Sequence, residues 1–118
     1  MNILYARGCD TNRNVLRFAY DTQTHHLQVA ETGNEAYRFF LEKTPDIMVL
    51  DIDLADIDVP RLIKTIRQIN KSDIPILLLL QPEQIEKLEP AMRSGANCFL
   101  MTPVSEATFR RTIGMQFN

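Results

Sequence analysis

Short apolar runs and helical stretches alternate along the chain. Five runs of four or five residues predict strands, and between them apolar side chains recur every three or four positions, as on one face of a helix. The predicted strands cover residues 2–6, 26–29, 47–50, 76–80 and 98–101. The runs at 47–50 and 76–80 are uninterrupted, which indicates strands buried on both faces of a parallel sheet. Alternation over 26–29 favours an edge strand.

Five helices are predicted between and after these strands. They cover residues 11–21, 32–44, 58–69, 83–94 and 105–117. Thr32 and Glu35 have the spacing of a capping box, and Asp58 can cap the third helix with Pro60 in its first turn. Pro90 lies inside the fourth helix and has no backbone N–H, so we expect that helix to kink or to restart there.

The alternation of strands and helices predicts one α/β domain over residues 1–118, with a parallel sheet covered on both faces. In such sheets, ligands and chemistry collect where the strands end at their carboxyl side. The positions that follow the predicted strands are Arg7 to Asp10, Asp51 to Asp53, Leu80 to Gln81, and Thr102.

Composition narrows the function classes. Hydrophobic residues make up 45% of the 118 residues and charged residues 24%, which is ordinary for a globular domain and excludes a disordered chain. Thirteen basic and fifteen acidic side chains give a net charge of −2 without a basic cluster, which argues against direct nucleic-acid binding. The longest aliphatic run, 76–80, is far shorter than the roughly 20 residues of a membrane span, and no leader pattern opens the sequence. We therefore expect a cytoplasmic location.

Cysteine and histidine offer little chemistry. Cys9 and Cys98 lie 89 positions apart, so we expect reduced thiols without a disulfide framework. His25 and His26 are adjacent and therefore point in different directions on either a helix or a strand. These residues do not predict a metal site.

Three segments together resemble a response regulator receiver domain, the phosphoacceptor module of two-component signalling, over essentially the whole chain. They are Pro-Asp-Ile-Met-Val-Leu-Asp-Ile at 45–52 with Asp58 downstream, Ile-Pro-Ile-Leu at 74–77, and Gly-Ala-Asn-Cys-Phe-Leu at 95–100 with Pro103. The resemblance implies a five-stranded, doubly wound, flavodoxin-like receiver fold with strand order 2-1-3-4-5. It also implies that Asp51 is the equivalent of the phosphoacceptor.

The sequence departs from the family at four other working positions. The acids that hold the divalent cation fall on Arg7 and Gly8, the Thr or Ser that ends the fourth strand falls on Leu80, and the Lys before the last proline falls on Thr102. Without those groups, Mg²⁺ binding and stabilisation of a phosphoryl group should both be poor. The sequence thus predicts a degenerate receiver: an interaction or regulatory module in signal transduction, neither an enzyme nor dependent on a cofactor.

An alternative stays open at this point. Asp53 or Asp10 could help Asp51 to bind Mg²⁺, and the chain would then be an active phosphoacceptor. In the degenerate form, the Arg7 guanidinium could instead replace the cation by pairing with Asp51.

The resemblance also implies where partners bind. In the family, the fourth helix, fifth strand and fifth helix form a face that contacts partner proteins or a second copy of the domain. The matching residues here are Ile85, Leu88, Met92, Phe99, Arg110 and Arg111. Ile85, Leu88 and Met92 could equally well pack on the sheet. A fused output domain, outside the given sequence, is a further expectation.

Overall fold

A computed structural model describes residues 2–8, 26–69 and 72–116, and its centre is a five-stranded parallel sheet. The strands are β1 (Asn2–Ala6), β2 (His26–Ala30), β3 (Ile47–Asp51), β4 (Ile76–Leu80) and β5 (Cys98–Met101). Their order is β2-β1-β3-β4-β5, and every neighbouring pair is parallel. The predicted sheet, its order and the edge position of β2 are confirmed.

The described helices are α1 (Gly33–Glu42), α2 (Val59–Gln68), α3 (Leu88–Arg93) and α4 (Glu106–Gln116), and a 3₁₀ helix spans Pro82–Lys87. The predicted helix over 11–21 lies outside the described residues, as do Cys9, Asp10 and His25. None of the described helices is long and apolar enough to cross a membrane.

The predicted helix over 83–94 is divided at Leu88. The proline ring of Pro90 collides with the carbonyl of the residue four positions earlier when the chain is α-helical. That residue is Glu86, and the segment before Leu88 accordingly winds as a 3₁₀ helix. The prediction of an interruption is confirmed, but the restart precedes Pro90 by two residues.

Two apolar clusters cover the two faces of the sheet. Leu50 and Leu78 belong to the larger cluster, which includes residues of α1, α2 and α3. Val49 and Leu77 belong to the smaller one, which Phe109 of α4 completes. Because both faces are covered, all five residues of β3 and of β4 are buried, as the uninterrupted apolar runs indicated.

Helix α1 begins under two independent caps. Thr32 Oγ1 accepts a hydrogen bond from Glu35 N at 3.0 Å, as the capping box predicts. The Glu35 carboxylate accepts from the backbone N–H of Glu31 instead of that of Thr32. Asp56, from the loop after β3, accepts hydrogen bonds from Gly33 N at 2.8 Å and Asn34 N at 2.9 Å. These hydrogen bonds connect the start of α1 to the loop that follows Asp51.

The Asp56 cap should make folding stability depend on pH. The hydrogen bonds from Asn34 and Gly33 lower the pKa of the Asp56 carboxyl from its ordinary value. A carboxyl whose pKa is lower in the folded state stabilises that state above its unfolded pKa, and this contribution is lost as pH falls through its folded pKa. Asp56→Asn keeps one acceptor oxygen but loses the negative charge and one of the two hydrogen bonds, so it should lower the free energy of unfolding at neutral pH by about 0.5–1 kcal/mol. Urea denaturation at a series of pH values measures this difference.

Glu83→Gln is the matched control for this prediction, because it removes one negative charge from an exposed side chain. We expect the difference between Asp56→Asn and the wild type to shrink toward acid pH. Equal stability of Asp56→Asn and Glu83→Gln at neutral pH would contradict the role of Asp56 as a cap.

Candidate functional site

Asp51 ends β3 and is only 2% exposed. Its two carboxylate oxygens accept hydrogen bonds from different donors: the Tyr5 hydroxyl donates to Oδ1 at 3.0 Å, and Gly8 N donates to Oδ2 at 2.5 Å. Tyr5 itself is completely buried. A buried carboxylate needs such donors, since loss of its hydration would otherwise cost several kcal/mol. The chain therefore satisfies the Asp51 carboxylate from within.

Tyr5 was missed by the sequence analysis, which treated residues 2–6 only as an apolar strand. The register explains its role: Tyr5 pairs with Val49 across the sheet. Asp51 is two positions beyond Val49, and side chains two apart on a strand share a face. Tyr5 and Asp51 thus lie on the same side of neighbouring strands. The sequence offers one signal, a hydroxyl in an otherwise aliphatic run, but the pairing depends on the register.

Gly8 holds the end of β1 against the loop after β3. A Cβ atom at position 8 would lie 2.2 Å from the backbone carbonyl oxygen of Asp53 and 3.1 Å from Leu54 Cδ2. No side chain fits there unless backbone moves. The sequence analysis treated Gly8 only as the loss of an acid, whereas the structure gives its small size a positive role in closing this edge.

Arg7 makes its described contacts at the end of β2. Its Nη2 contacts Glu31 Oε2 at 2.5 Å, and its backbone N donates to the carbonyl of Ala30 at 2.9 Å. This backbone hydrogen bond continues the pairing of β1 with β2 by one residue. The predicted ion pair with Asp51 is wrong: across the described ranges, the ion pair formed by Arg7 is with Glu31.

Asp53 is the candidate cation ligand that the structure describes, and its carboxylate is engaged. Its Oδ2 lies 2.9 Å from the Lys87 ammonium, which comes from the 3₁₀ helix. In residues 2–8, 26–69 and 72–116, no three His, Cys, Asp or Glu side chains are grouped in a way that could hold a metal ion. Mg²⁺ is usually held by one or two carboxylates and several waters; of the described candidates, Asp53 contacts Lys87, and Asp51 accepts hydrogen bonds from Tyr5 and Gly8. Asp10 lies outside those ranges.

Leu80 and Thr102 lie at the same edge of the sheet as Asp51. The register pairs Asp51 with Leu79, and Thr102 follows β5, donating from its backbone N to Leu80 O at 2.8 Å. Leu80 is fully buried and Thr102 is 7% exposed. Leu80 has no polar side-chain atom, and the Thr102 hydroxyl turns toward the carbonyl of Leu80. Neither residue offers a charged group to this edge.

The predicted partner-face residues divide into exposed and packed side chains. Leu88 and Met92 are half-buried and pack against the larger core cluster. Ile85 is 49% exposed and Phe99 40% exposed. For Leu88 and Met92 the alternative of packing on the sheet is therefore the better description.

The exposed part of this face extends beyond the predicted set. Arg110 and Arg111 are exposed on α4. Met101 was missed, although it is 39% exposed and lies two positions after Phe99 on the edge strand β5. Alternation along an edge strand could have predicted it, because residues two apart share a face.

Gly8→Ala should destabilise the protein even though the added group is one methyl. The new Cβ collides with backbone, and such overpacking costs about 1–3 kcal/mol of unfolding free energy. Gly114→Ala is the control: it lies in α4 with no atom within 4 Å of an added Cβ, and alanine favours a helix over glycine by about 0.5–1 kcal/mol. Thermal or urea unfolding of both variants checks the opposite signs. A neutral Gly8→Ala would contradict the close approach.

Comparisons with known proteins agree with this geometry. The family model of the response regulator receiver domain matches residues 9–114. A 14.6 kDa protein from the 3′ region of sodA1 in Leptolyngbya boryana is 27% identical over 96% of this chain and 87% of its own length. The transcriptional regulatory protein AfsQ1 of Streptomyces coelicolor is 27% identical over 87% of this chain, which covers 45% of AfsQ1.

Solved structures show the same fold. A two-component response regulator from Clostridium difficile superposes with a TM-score of 0.84 at 22% identity, covering 99% of this chain and 95% of its own. The receiver domain of the sensor histidine kinase PA1611 from Pseudomonas aeruginosa, solved with magnesium in its active-site cleft, gives 0.84 at 22% identity over 98% and 95% of the two chains. Since the family match spans most of the sequence, this chain belongs to the response regulator receiver domain family, whose members are signalling modules that interact with other proteins.

Proposed function

We propose that this receiver domain works as a degenerate, phosphorylation-independent interaction module. The observation that carries the proposal is the state of Asp51: it is 2% exposed, and both its oxygens accept hydrogen bonds from the domain itself. The location we expect for the module is the cytoplasm.

Phosphoryl transfer to Asp51 would have to use this hydrogen-bonded carboxylate. The attacking carboxylate oxygen already accepts a hydrogen bond from Tyr5 or Gly8, which makes it a weaker nucleophile. The incoming oxygens then need positive charge or hydrogen-bond donors, which normally supply most of the catalysis. Leu80 provides neither, and the nearest described cation of the β1 edge, Arg7, is paired with Glu31. Among residues 2–8, 26–69 and 72–116, neither Leu80 nor Thr102 supplies a positive charge for the incoming oxygens.

The direct test is incubation with acetyl phosphate and Mg²⁺, followed by intact-mass measurement. We expect no species heavier by one phosphoryl group under conditions that modify an active receiver. The PA1611 receiver domain, which coordinates magnesium, serves as the positive control for the donor. A phosphorylated species in the wild type that disappears in Asp51→Asn would overturn the proposal.

The surface that we propose for partner binding has an apolar centre and a basic margin. Ile85, Phe99 and Met101 supply the exposed apolar side chains, and Arg110 and Arg111 the positive charge. Large apolar side chains that are exposed to water are common in protein interfaces. The occupant is a partner protein or a second copy of the domain. Because this chain spans less than half of AfsQ1, a fused output domain is part of the proposal.

Charge reversal at Arg110 and Arg111 tests the second-copy form of this surface. The double variant Arg110→Glu and Arg111→Glu should reduce self-association measured by sedimentation over a concentration series, because the basic margin is inverted. Lys64→Glu, at an exposed position on α2, is the control for a change of net charge. If the double variant associates like the wild type, or if the wild type remains monomeric throughout, the second-copy form is wrong.

A further inference from the structure

A cavity of about 310 Å³ lies between the loop after β3 and the region where the 3₁₀ helix meets α3. Its apolar lining includes Ile52, Leu54 and Val59, which are each at most 5% exposed. Ligand pockets span about 300–1,000 Å³, so this cavity is at the lower end of the range and has room for one long side chain.

The charged residues that line the cavity carry a net negative charge. Three carboxylates line it, those of Asp53, Asp58 and Glu86, against one ammonium, that of Lys87. Asp58 also caps α2 by accepting from Arg61 N at 3.2 Å, which leaves its negative charge in place. A group that enters this cavity therefore meets an apolar wall and a net negative margin, which together favour a cation on an aliphatic stem.

Lys87 is a cation on an aliphatic stem that already contacts one of these carboxylates. It lines the cavity, and its ammonium lies 2.9 Å from Asp53 Oδ2. The two side chains are 45% and 57% exposed, so the ion pair between them is weak and can be exchanged at little cost. An external alkyl cation would compete with Lys87 for the same carboxylate.

We propose that this cavity receives an arginine or lysine side chain presented by a partner protein, with Asp53 as the main contact for its charged group. The inference rests on the proposed function, since it describes how the interaction module recognises its partner. Binding would release Lys87 from Asp53. The 3₁₀ helix that carries Lys87 also carries the exposed Ile85, so the cavity and the proposed partner surface share one element.

Butylguanidinium is the probe for this site, and butylurea is its uncharged counterpart of nearly equal shape. Titration of the ¹⁵N-labelled chain should shift amide resonances of residues 52–58 and 83–88 with butylguanidinium and much less with butylurea. Equal shifts with the two compounds, or butylguanidinium shifts elsewhere only, would overturn the proposal.

Two substitutions should change the affinity in opposite directions. Asp53→Asn should weaken butylguanidinium binding, because the main anionic contact is lost. Lys87→Met should strengthen it by about two- to fivefold, because an exposed ion pair no longer has to be broken. Both side chains are half exposed, so folding is preserved in either variant.

Lys64→Met is the matched control. It removes the same charge from an exposed position on α2 that does not line the cavity. An equal gain in Lys64→Met and Lys87→Met would mean that net charge alone governs binding, and the proposal would be wrong. The outcome is independent of the phosphorylation test: a phosphorylated Asp51 would remove the proposed function, whereas failed butylguanidinium binding would remove only the partner site.

Discussion

The desolvation of the Asp51 carboxylate is the constraint around which this edge of the molecule is organised. Asp51 is 2% exposed at the end of a buried strand. Its negative charge is tolerated there only if hydrogen-bond donors replace the lost water. Tyr5 supplies one donor from the neighbouring strand, and Gly8 N supplies another from the chain that follows it. The close approach of the β1 end to β3 thus supplies the donors that the buried charge requires.

Polar side chains near Asp51 also contact the neighbouring elements on both sides of it. Arg7 reaches Glu31 at the end of β2, and Asp56 holds the start of α1. On the other side, Asp53 contacts Lys87 and so connects the loop after β3 with the 3₁₀ helix that bears Ile85. The 3₁₀ helix that bears Ile85 is therefore connected to the loop after Asp51 by a side-chain contact.

The fold survives such changes at the edge because its stability comes from elsewhere. The two apolar clusters cover β3 and β4 completely, and of the residues that differ from the family, Leu80 ends β4 while Arg7, Gly8 and Thr102 lie just beyond the strands. Substitutions such as Leu80 add to the core rather than weaken it. A receiver sheet can accordingly keep its shape when the residues at this edge change.

The sequence by itself determined the strands, the parallel sheet and the family, because uninterrupted apolar runs such as 76–80 and caps such as Asp58 are local signals that tertiary packing reinforced. It also located the edge at which Asp51 lies. Only the tertiary structure decided the contacts at that edge. Tyr5 reaches Asp51 through strand register, Gly8 is required by a carbonyl 45 positions away, and Arg7 pairs with Glu31 at the end of β2. These contacts join residues distant in sequence, and their geometry depends on how the strands align, which no local pattern encodes.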